Sequence, residues 1–247
     1  PDHLDLHWLH YLWAVRRELP QEAERHAQAA LRRGAPWDAA LWVKALYAVH
    51  GLRADVLAIV ERTELPAAHR AAALVCVDAW GENADQLNEL AWKVVAKPGA
   101  APPLLEKARQ QAEAARRLDS ADVDVRHTLA YVFIRQGQYE AARETLLACV
   151  RQRQGYNLNE NSEREALARD VGLFLLGPLP LPFTQAFTLE PADAAGLALV
   201  YHHLGQPEEA RRWLAAGRTH LANVDASDPE EAELLAEAEA LLFPSPR

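Results

Sequence analysis

One stretch restricts the fold of this chain more than any other: residues 123–150, VDVRHTLAYVFIRQGQYEAARETLLACV. Apolar residues recur three and four positions apart on both sides of Gly137, a pattern typical of two helices joined by a tight turn. The apolar positions are Val125, Leu129, Val132, Phe133, Leu146, Cys149 and Val150. The small residues Ala130 and Ala142 allow two antiparallel helix backbones to approach closely. Such a pair leaves an apolar edge uncovered, so we expect it to stack on similar pairs.

The same stretch resembles a tetratricopeptide repeat, a helix–turn–helix unit of about 34 residues. The family pattern couples Trp-x2-Leu-Gly-x2-Tyr to a later Ala-x3-Phe. The residues of this chain that match those positions are Arg126, Leu129, Ala130, Phe133, Ala142 and Leu146. Alanine for glycine and leucine for phenylalanine are mild changes, whereas Arg126 replaces the tryptophan of the pattern.

Two further copies of the pattern support the resemblance. One contains Leu87, Leu90, Ala91, Val94, Ala108 and Ala112. The other contains Ala194, Leu197, Ala198, Tyr201, Gly205, Ala210 and Leu214. Gly137 and Gly205 are 68 residues apart, twice the usual period of about 34. The alanine pairs at the same distance are Ala130 with Ala198 and Ala142 with Ala210. The resemblance is clearest over residues 84–150 and 191–217.

The resemblance implies an all-α fold in which antiparallel helix pairs stack as an α-solenoid, a right-handed superhelix of about 12–13 helices. We expect one continuous domain with four parts along the chain. These are degenerate N-terminal helical repeats over residues 1–83, two recognisable repeat units over 84–150, an irregular helix with a proline-rich extended segment over 151–191, and a C-terminal repeat unit with a capping helix over 192–247.

The proline-rich segment interrupts the helical pattern. Ser162 and Glu165 form a capping-box pattern, which predicts a helix from residue 162 to about residue 175. The prolines at positions 178, 180 and 182 exclude a continuous helix over residues 177–191 and favour an extended, polyproline-like path. Because this segment is apolar, we expect it to pack along neighbouring helices rather than extend into solvent.

Charge and cysteine content limit the classes of partner. The net charge of −9 and the pI near 5.6 disfavour nucleic acid and anionic membranes as partners. No segment approaches the roughly 18 uninterrupted apolar residues of a membrane-spanning helix. Cys76 and Cys149 lie on apolar helical faces, which predicts buried, reduced thiols and a cytoplasmic location. The chain contains no methionine, and we expect it to be a processed form or a piece of a larger protein.

The sequence lacks the common motifs of enzymes: a glycine-rich phosphate loop, a Gly-x-Ser-x-Gly elbow, His-Glu-x-x-His and Cys-x-x-Cys. We therefore predict a protein that is not an enzyme and has no cofactor. His3, His7 and His10 project from one side of the first helix, with a spacing that suits zinc or nickel. A polar stripe facing solvent explains them better, so we predict no bound metal.

The resemblance also implies a binding surface, because the first helix of each pair lines a concave groove. The groove residues that it implies are Asn88, Trp92, His127, Tyr131, Ile134, Arg135, Leu199 and His202. Aromatic side chains with one arginine suit an apolar or acidic-apolar segment of a protein or peptide. The alternative for Trp92 and Tyr131 is that they pack between repeats.

We therefore predict a non-catalytic scaffold that binds a protein or peptide partner in this groove. The alternative is self-association as a homo-oligomer, or a regulatory arm for an attached domain of a larger protein. An open groove requires that Tyr131→Ala and Arg135→Ala weaken the partner complex by about 1–3 kcal/mol without unfolding the chain. By contrast, Leu129→Ala and Phe133→Ala remove core contacts and should cost about 2–5 kcal/mol of stability. Should the groove fail, the convex face or residues 177–191 become the candidate surface.

Overall fold

The computed structural model describes residues 4–17, 19–155, 189–222 and 229–243. Over these ranges the chain forms twelve α-helices and no strand, which confirms the predicted all-α class. The helices are α1 (Leu4–Arg16), α2 (Pro20–Arg33), α3 (Ala39–His50), α4 (Arg53–Arg62), α5 (Ala67–Trp80), α6 (Ala84–Val95), α7 (Pro102–Leu118), α8 (Val123–Arg135), α9 (Tyr139–Gly155), α10 (Pro191–His203), α11 (Pro207–Ala222) and α12 (Pro229–Leu242). The predicted helix from residue 162 and the segment from 177 to 188 lie outside the described residues.

Prolines and one acidic cap set the start of several helices. Pro20, Pro191 and Pro229 occupy the first position of α2, α10 and α12, where a backbone N–H has no intrahelical acceptor to lose. Asp122 precedes α8, and its Oδ1 accepts the N–H of Asp124 at 2.7 Å. These local signals are readable in the sequence, which is why the predicted helices and the observed ones largely coincide.

Two helix boundaries depart from the helical pattern of the sequence. The apolar pattern of the first helix continues to Leu19, but α1 ends at Arg16. The reason is local, since Pro20 keeps Leu19 out of the helical region (ψ 73°). The segment before α3 begins as a 3-10 helix, Pro36–Asp38, and continues as α3.

The turn between α8 and α9 is repeated between α10 and α11. Gly137 (φ 74°) and Gly205 (φ 73°) adopt the left-handed conformation that favours glycine at the end of a helix. In the first turn, the backbone N–H groups of Gln136, Gly137 and Gln138 donate to the carbonyl oxygens of Val132, Ile134 and Phe133, respectively. In the second turn, the backbone N–H groups of Leu204, Gly205 and Gln206 donate to the carbonyl oxygens of Val200, His202 and Tyr201, respectively. The 68-residue spacing in the sequence therefore corresponds to a repeated backbone geometry.

The chain folds into two compact units. The first comprises Pro1–Trp92 with Gln110–Ser120, and the second comprises Lys93–Arg109 with Ala121–Arg247. The division crosses α6 and α7. The four-part organisation expected from the sequence, with boundaries after residues 83, 150 and 191, stays a prediction.

In the first unit, α3 packs against α2, α4 and α5. Trp42 and Leu46 of α3 are fully buried. Tyr47 on the same helix is also buried, and its hydroxyl donates to the carbonyl oxygen of Val77 in α5 at 3.2 Å. In α2, four small or apolar residues spaced three and four apart are all buried: Ala23, Ala27, Ala30 and Leu31.

In the second unit, α10 is the central helix and packs against α8, α9, α11 and α12. Its first ten residues, PADAAGLALV, are all buried, as expected for a helix enclosed by others. Small side chains let the neighbouring helices approach: a Cβ at Gly196 would lie 2.9 Å from Cδ1 of Leu146 and 3.2 Å from Cε2 of Tyr131. The predicted core of α8 and α9 is buried except for Phe133, which is half-buried.

Gly196→Ala should destabilise the protein by about 1–3 kcal/mol, because the added methyl group overpacks the space beside Leu146 and Tyr131. Urea denaturation measures the change. Leu146→Val removes the nearest atom, so the cost of Gly196→Ala should be smaller in that background. An equal cost in both backgrounds would contradict this close packing.

Candidate functional site

The structure buries half of the predicted groove residues. Asn88 and Trp92 belong to the first unit and are half-buried, and the other six residues belong to the second unit. Of these six, His127, Tyr131, Ile134 and Leu199 are buried. They are buried because α10 packs directly on α8 and is itself enclosed by four helices. Their contact with a partner stays a prediction. Contact with a partner stays a prediction for Asn88, Trp92 and the half-buried His202.

Tyr131 is fully buried between α8 and α10. Its hydroxyl donates to the carbonyl oxygen of Ala192 at 2.8 Å, and its ring meets His127 edge to face at a centroid distance of 4.9 Å. Burial raises the pKa of Tyr131 well above its usual value. Tyr131 therefore packs between two helices of the second unit, and its place between repeats stays a prediction.

Arg135 is also engaged within the fold, with only 7% of its side chain exposed. Its guanidinium donates to the carbonyl oxygens of Val95 and Ala96 and forms a two-pronged ion pair with Glu237 of α12. The same group lies 5.9 Å from the ring centroid of Tyr131. Backbone carbonyls and a carboxylate of this chain therefore contact Arg135 in the structure, and its contact with a partner stays a prediction.

A buried ionic cluster lies at the start of α10. Asp193 is 0% exposed, and its Oδ2 accepts from Nε of Arg153 at 3.1 Å. Nε2 of His127 lies 3.6 Å from the other carboxylate oxygen. Arg153 also donates to Asp124 at 2.8 Å and approaches Glu190 at 3.7 Å. One arginine therefore joins α9 to α8 and to the start of α10.

The buried environment of the cluster shifts the pKa values of its members. Burial raises the pKa of Asp193 to about 7, against the opposing effect of Arg153. Burial and the neighbouring Arg153 lower the pKa of His127 to about 4, so this imidazole is neutral at pH 7. Burial also acts to lower the pKa of Arg153, but Asp193 and Asp124 outweigh it and raise that pKa. Arg153 hydrogen-bonds to Asp193 and to Asp124, an arrangement that holds helices together.

The sequence reasoning missed Asp193 and Arg153 as partners. One signal was present, because Asp193 is the single charged residue in the otherwise apolar run PADAAGLALV. A buried carboxylate requires a cation nearby. Nothing local identifies that cation, since Arg153 is 40 residues away in the chain.

The two cysteines are both free thiols, as predicted. Cys149 is buried, and burial raises its pKa to about 12, which makes the thiol unreactive. Cys76 is only partly buried.

The histidines of the first helix face a third histidine rather than solvent alone. The ring centroid of His26 lies 4.9 Å from that of His10 and 5.9 Å from that of His7. His3 lies outside the described residues. Among the residues that the structure describes, no group of three or more histidine, cysteine, aspartate or glutamate side chains is placed to hold a metal ion.

Helix α1 and the turn after it expose a group of apolar side chains, here called the α1 apolar face. Its members are Leu9 (60% exposed), Leu12 (57%), Trp13 (47%), Val15 (49%) and Leu19 (37%). Tyr11 and Ala14, on the other side of the helix, are buried. The guanidinium of Arg17 lies 5.3 Å from the ring centroid of Trp13, which places a positive charge beside this face.

No protein-family model, curated protein or solved structure matches this chain. Within the described ranges, none of the helices combines the length and apolar character needed to cross a membrane. Function is therefore inferred from the residues themselves.

Tyr131→Ala should cost about 3–5 kcal/mol of stability, because it removes a buried aromatic ring and its hydrogen bond to Ala192. Tyr139→Ala is the matched control, since Tyr139 is half-buried and stacks on the exposed His203. Chemical denaturation of both variants measures the difference. A cost for Tyr131→Ala no larger than that of the control would contradict the buried position.

The pH dependence of stability should reveal Asp193 and His127 as opposing contributions. Because the folded-state pKa of Asp193 is raised to about 7, its contribution is complete below about pH 4 and is lost as the pH rises through 7. Because the folded-state pKa of His127 is lowered to about 4, its contribution is complete above about pH 6.5 and is lost as the pH falls through 4. The two contributions therefore offset each other between about pH 4 and 6.5.

Asp193→Asn removes the contribution that falls with pH, so the free energy of unfolding should rise more steeply from pH 4 to 6.5. His127→Gln removes the contribution that rises with pH, so the free energy of unfolding should fall over the same range. Urea denaturation midpoints from pH 4 to pH 7 measure both profiles. Profiles parallel to that of the unmodified chain would contradict the assigned shifts.

Proposed function

We propose that this chain is a non-catalytic, tetratricopeptide-repeat-like scaffold that binds a protein or peptide segment, with the α1 apolar face as a contact surface. The single observation that carries the proposal is the exposure of Leu9, Leu12, Trp13, Val15 and Leu19 together. Leu9, Leu12 and Trp13 are three and four residues apart and therefore share one side of α1. Exposed apolar groups on one side of a helix mark a protein contact, because burying them against a partner removes them from water. Fully burying one such side chain is worth about 1.5–3 kcal/mol.

The repeated turns support the scaffold part of the proposal. Gly137 and Gly205 close their helices with the same hydrogen bonds, 68 residues apart. Stacked helix pairs in a solenoid require this kind of recurrence. The cluster of Asp193, Arg153 and His127 further supports a structural role, since the contacts among these groups connect α8, α9 and α10.

The chemistry beside the α1 apolar face favours an acidic-apolar partner segment. Trp13 supplies a large ring of the type that dominates binding energy at interfaces. Arg17 lies over that ring and offers a cation to a carboxylate at the edge of the contact. We propose a cytoplasmic location, since Cys76 and Cys149 are both free thiols.

Leu12→Glu should weaken binding of a partner about tenfold or more, because it places a carboxylate where an apolar contact is expected. Val75→Glu is the matched control: Val75 is an exposed apolar residue (67%) of the same unit on another helix. Partners captured by the unmodified chain are identified first, and their affinity for each variant is then measured by calorimetry.

Light scattering on the same variants distinguishes self-association, the alternative function, from binding of another protein. A dimer that Leu12→Glu alone converts to a monomer would assign the α1 apolar face to self-association. Equal partner affinity for the unmodified chain, Leu12→Glu and Val75→Glu would overturn the proposal.

A further inference from the structure

Arg135 is oriented by backbone groups independently of its carboxylate partner. Its Nε donates to the carbonyl oxygen of Val95 at 2.8 Å, and Nη2 donates to that of Ala96 at 3.2 Å. Both carbonyls lie at the C-terminal end of α6, where the last carbonyl groups of a helix lack intrahelical partners. Toward α12, Nη2 donates to Oε2 of Glu237 at 2.8 Å, and Nη1 donates to Oε1. A planar fork fixed in this way is a receptor for a carboxylate carried by another helix.

The helix that supplies this carboxylate is acidic. Five of the fourteen residues of α12 are glutamates and none is basic. Ion pairs between this helix and basic residues of the second unit include Arg135 with Glu237, Lys97 with Glu233 at 3.7 Å, and Arg218 with Glu239. The pairs of Lys97 and Arg218 are exposed and contribute little individually, whereas the Arg135 pair is largely buried. Charge complementarity therefore centres on Arg135.

Two adjacent leucines anchor α12 beside the charge pair. Leu234 and Leu235 are buried, and the small Ala238 is buried one turn further on. Leu235 packs closely against α11, since a Cβ at Gly217 would lie 2.8 Å from its Cδ2. The opposite side of α12 is exposed at Glu233, Ala236 and Ala240. A helix with one buried apolar strip and one partly buried carboxylate is docked in the manner of a helix bound in a groove.

We infer that α12 occupies a helix-binding site made by α10, α11 and Arg135, and that this site accepts an acidic amphipathic helix of a partner in place of α12. The partner helix carries the pattern of Leu234, Leu235 and Glu237: two adjacent leucines, any residue, then glutamate. This inference goes beyond the proposed function, because it concerns a different surface from the α1 apolar face and specifies the partner by its charge.

A free helix competes at this site with a helix that is covalently attached and therefore present at high effective concentration. Weakening the binding of α12 to this site should raise the apparent affinity of the site for an added helix. Glu237→Gln does this without changing the apolar contacts, because the neutral amide loses the charge-assisted pair with Arg135. Glu233→Gln is the matched control, since it makes the same change at an exposed position of the same helix.

The probe is a fluorescent peptide with the sequence of residues 229–242, titrated with the full chain and followed by anisotropy. It should bind the Glu237→Gln chain about tenfold more tightly than the unmodified chain or the Glu233→Gln chain. A peptide with glutamine at the position of Glu237 should lose this gain. Hydrogen exchange of the Glu237→Gln chain should be faster in α12 and unchanged in α8.

Two results would overturn the inference. One is the absence of peptide binding to any of the three chains, with the amides of α12 as protected as those of α8. The other is faster exchange in every helix of Glu237→Gln alike, which would show that α12 opens only with the whole fold. Neither result depends on Leu12, so the test of the α1 apolar face stands separately.

Discussion

The second unit depends on the close packing of α10 against α8 and α9. Ten consecutive residues of α10 are buried, and Gly196 leaves room for Leu146 on one neighbour and Tyr131 on the other. Close approach of two backbones also brings polar groups together out of water. The hydroxyl of Tyr131 meets the carbonyl of Ala192, and the carboxylate of Asp193 meets Arg153. Burying these groups is tolerated because each finds its partner, and removing one would leave the other buried and unpaired.

The same packing explains why several residues that were expected to line a groove are buried. Tyr131 and His127 were expected on a concave surface, yet they lie at the contact between α8 and α10. Arg135, at the end of α8, donates hydrogen bonds to two backbone carbonyls and to Glu237. An aromatic ring and an arginine suit binding to a partner and binding to the chain's own helices equally well, because the physical interactions are the same.

The two proposed recognition surfaces, one in each unit, differ in their chemistry. In the first unit, the α1 apolar face offers exposed hydrophobic side chains with Arg17 beside them, and its binding energy would come mainly from burial of apolar area. In the second unit, Arg135 offers a fixed fork for one carboxylate, which adds selectivity for glutamate at a defined position of a helix. The first surface is exposed in the monomer, whereas the second is occupied by α12.

The amino-acid sequence by itself determined the all-α class, most helix boundaries and the turn geometry shared by Gly137 and Gly205, because these follow from local periodicity, proline and glycine. It also identified most of the core of α8 and α9. Periodicity marks one apolar stripe per helix, however, and α8 is covered on a second side by α10, so Tyr131 is buried while Phe133 is half-buried. Only the tertiary structure decided which distant charges meet: Arg153 and Asp193 are 40 residues apart, and Arg135 and Glu237 are 102 apart. No local rule encodes such pairs, because they form only when helix packing brings the chain segments together.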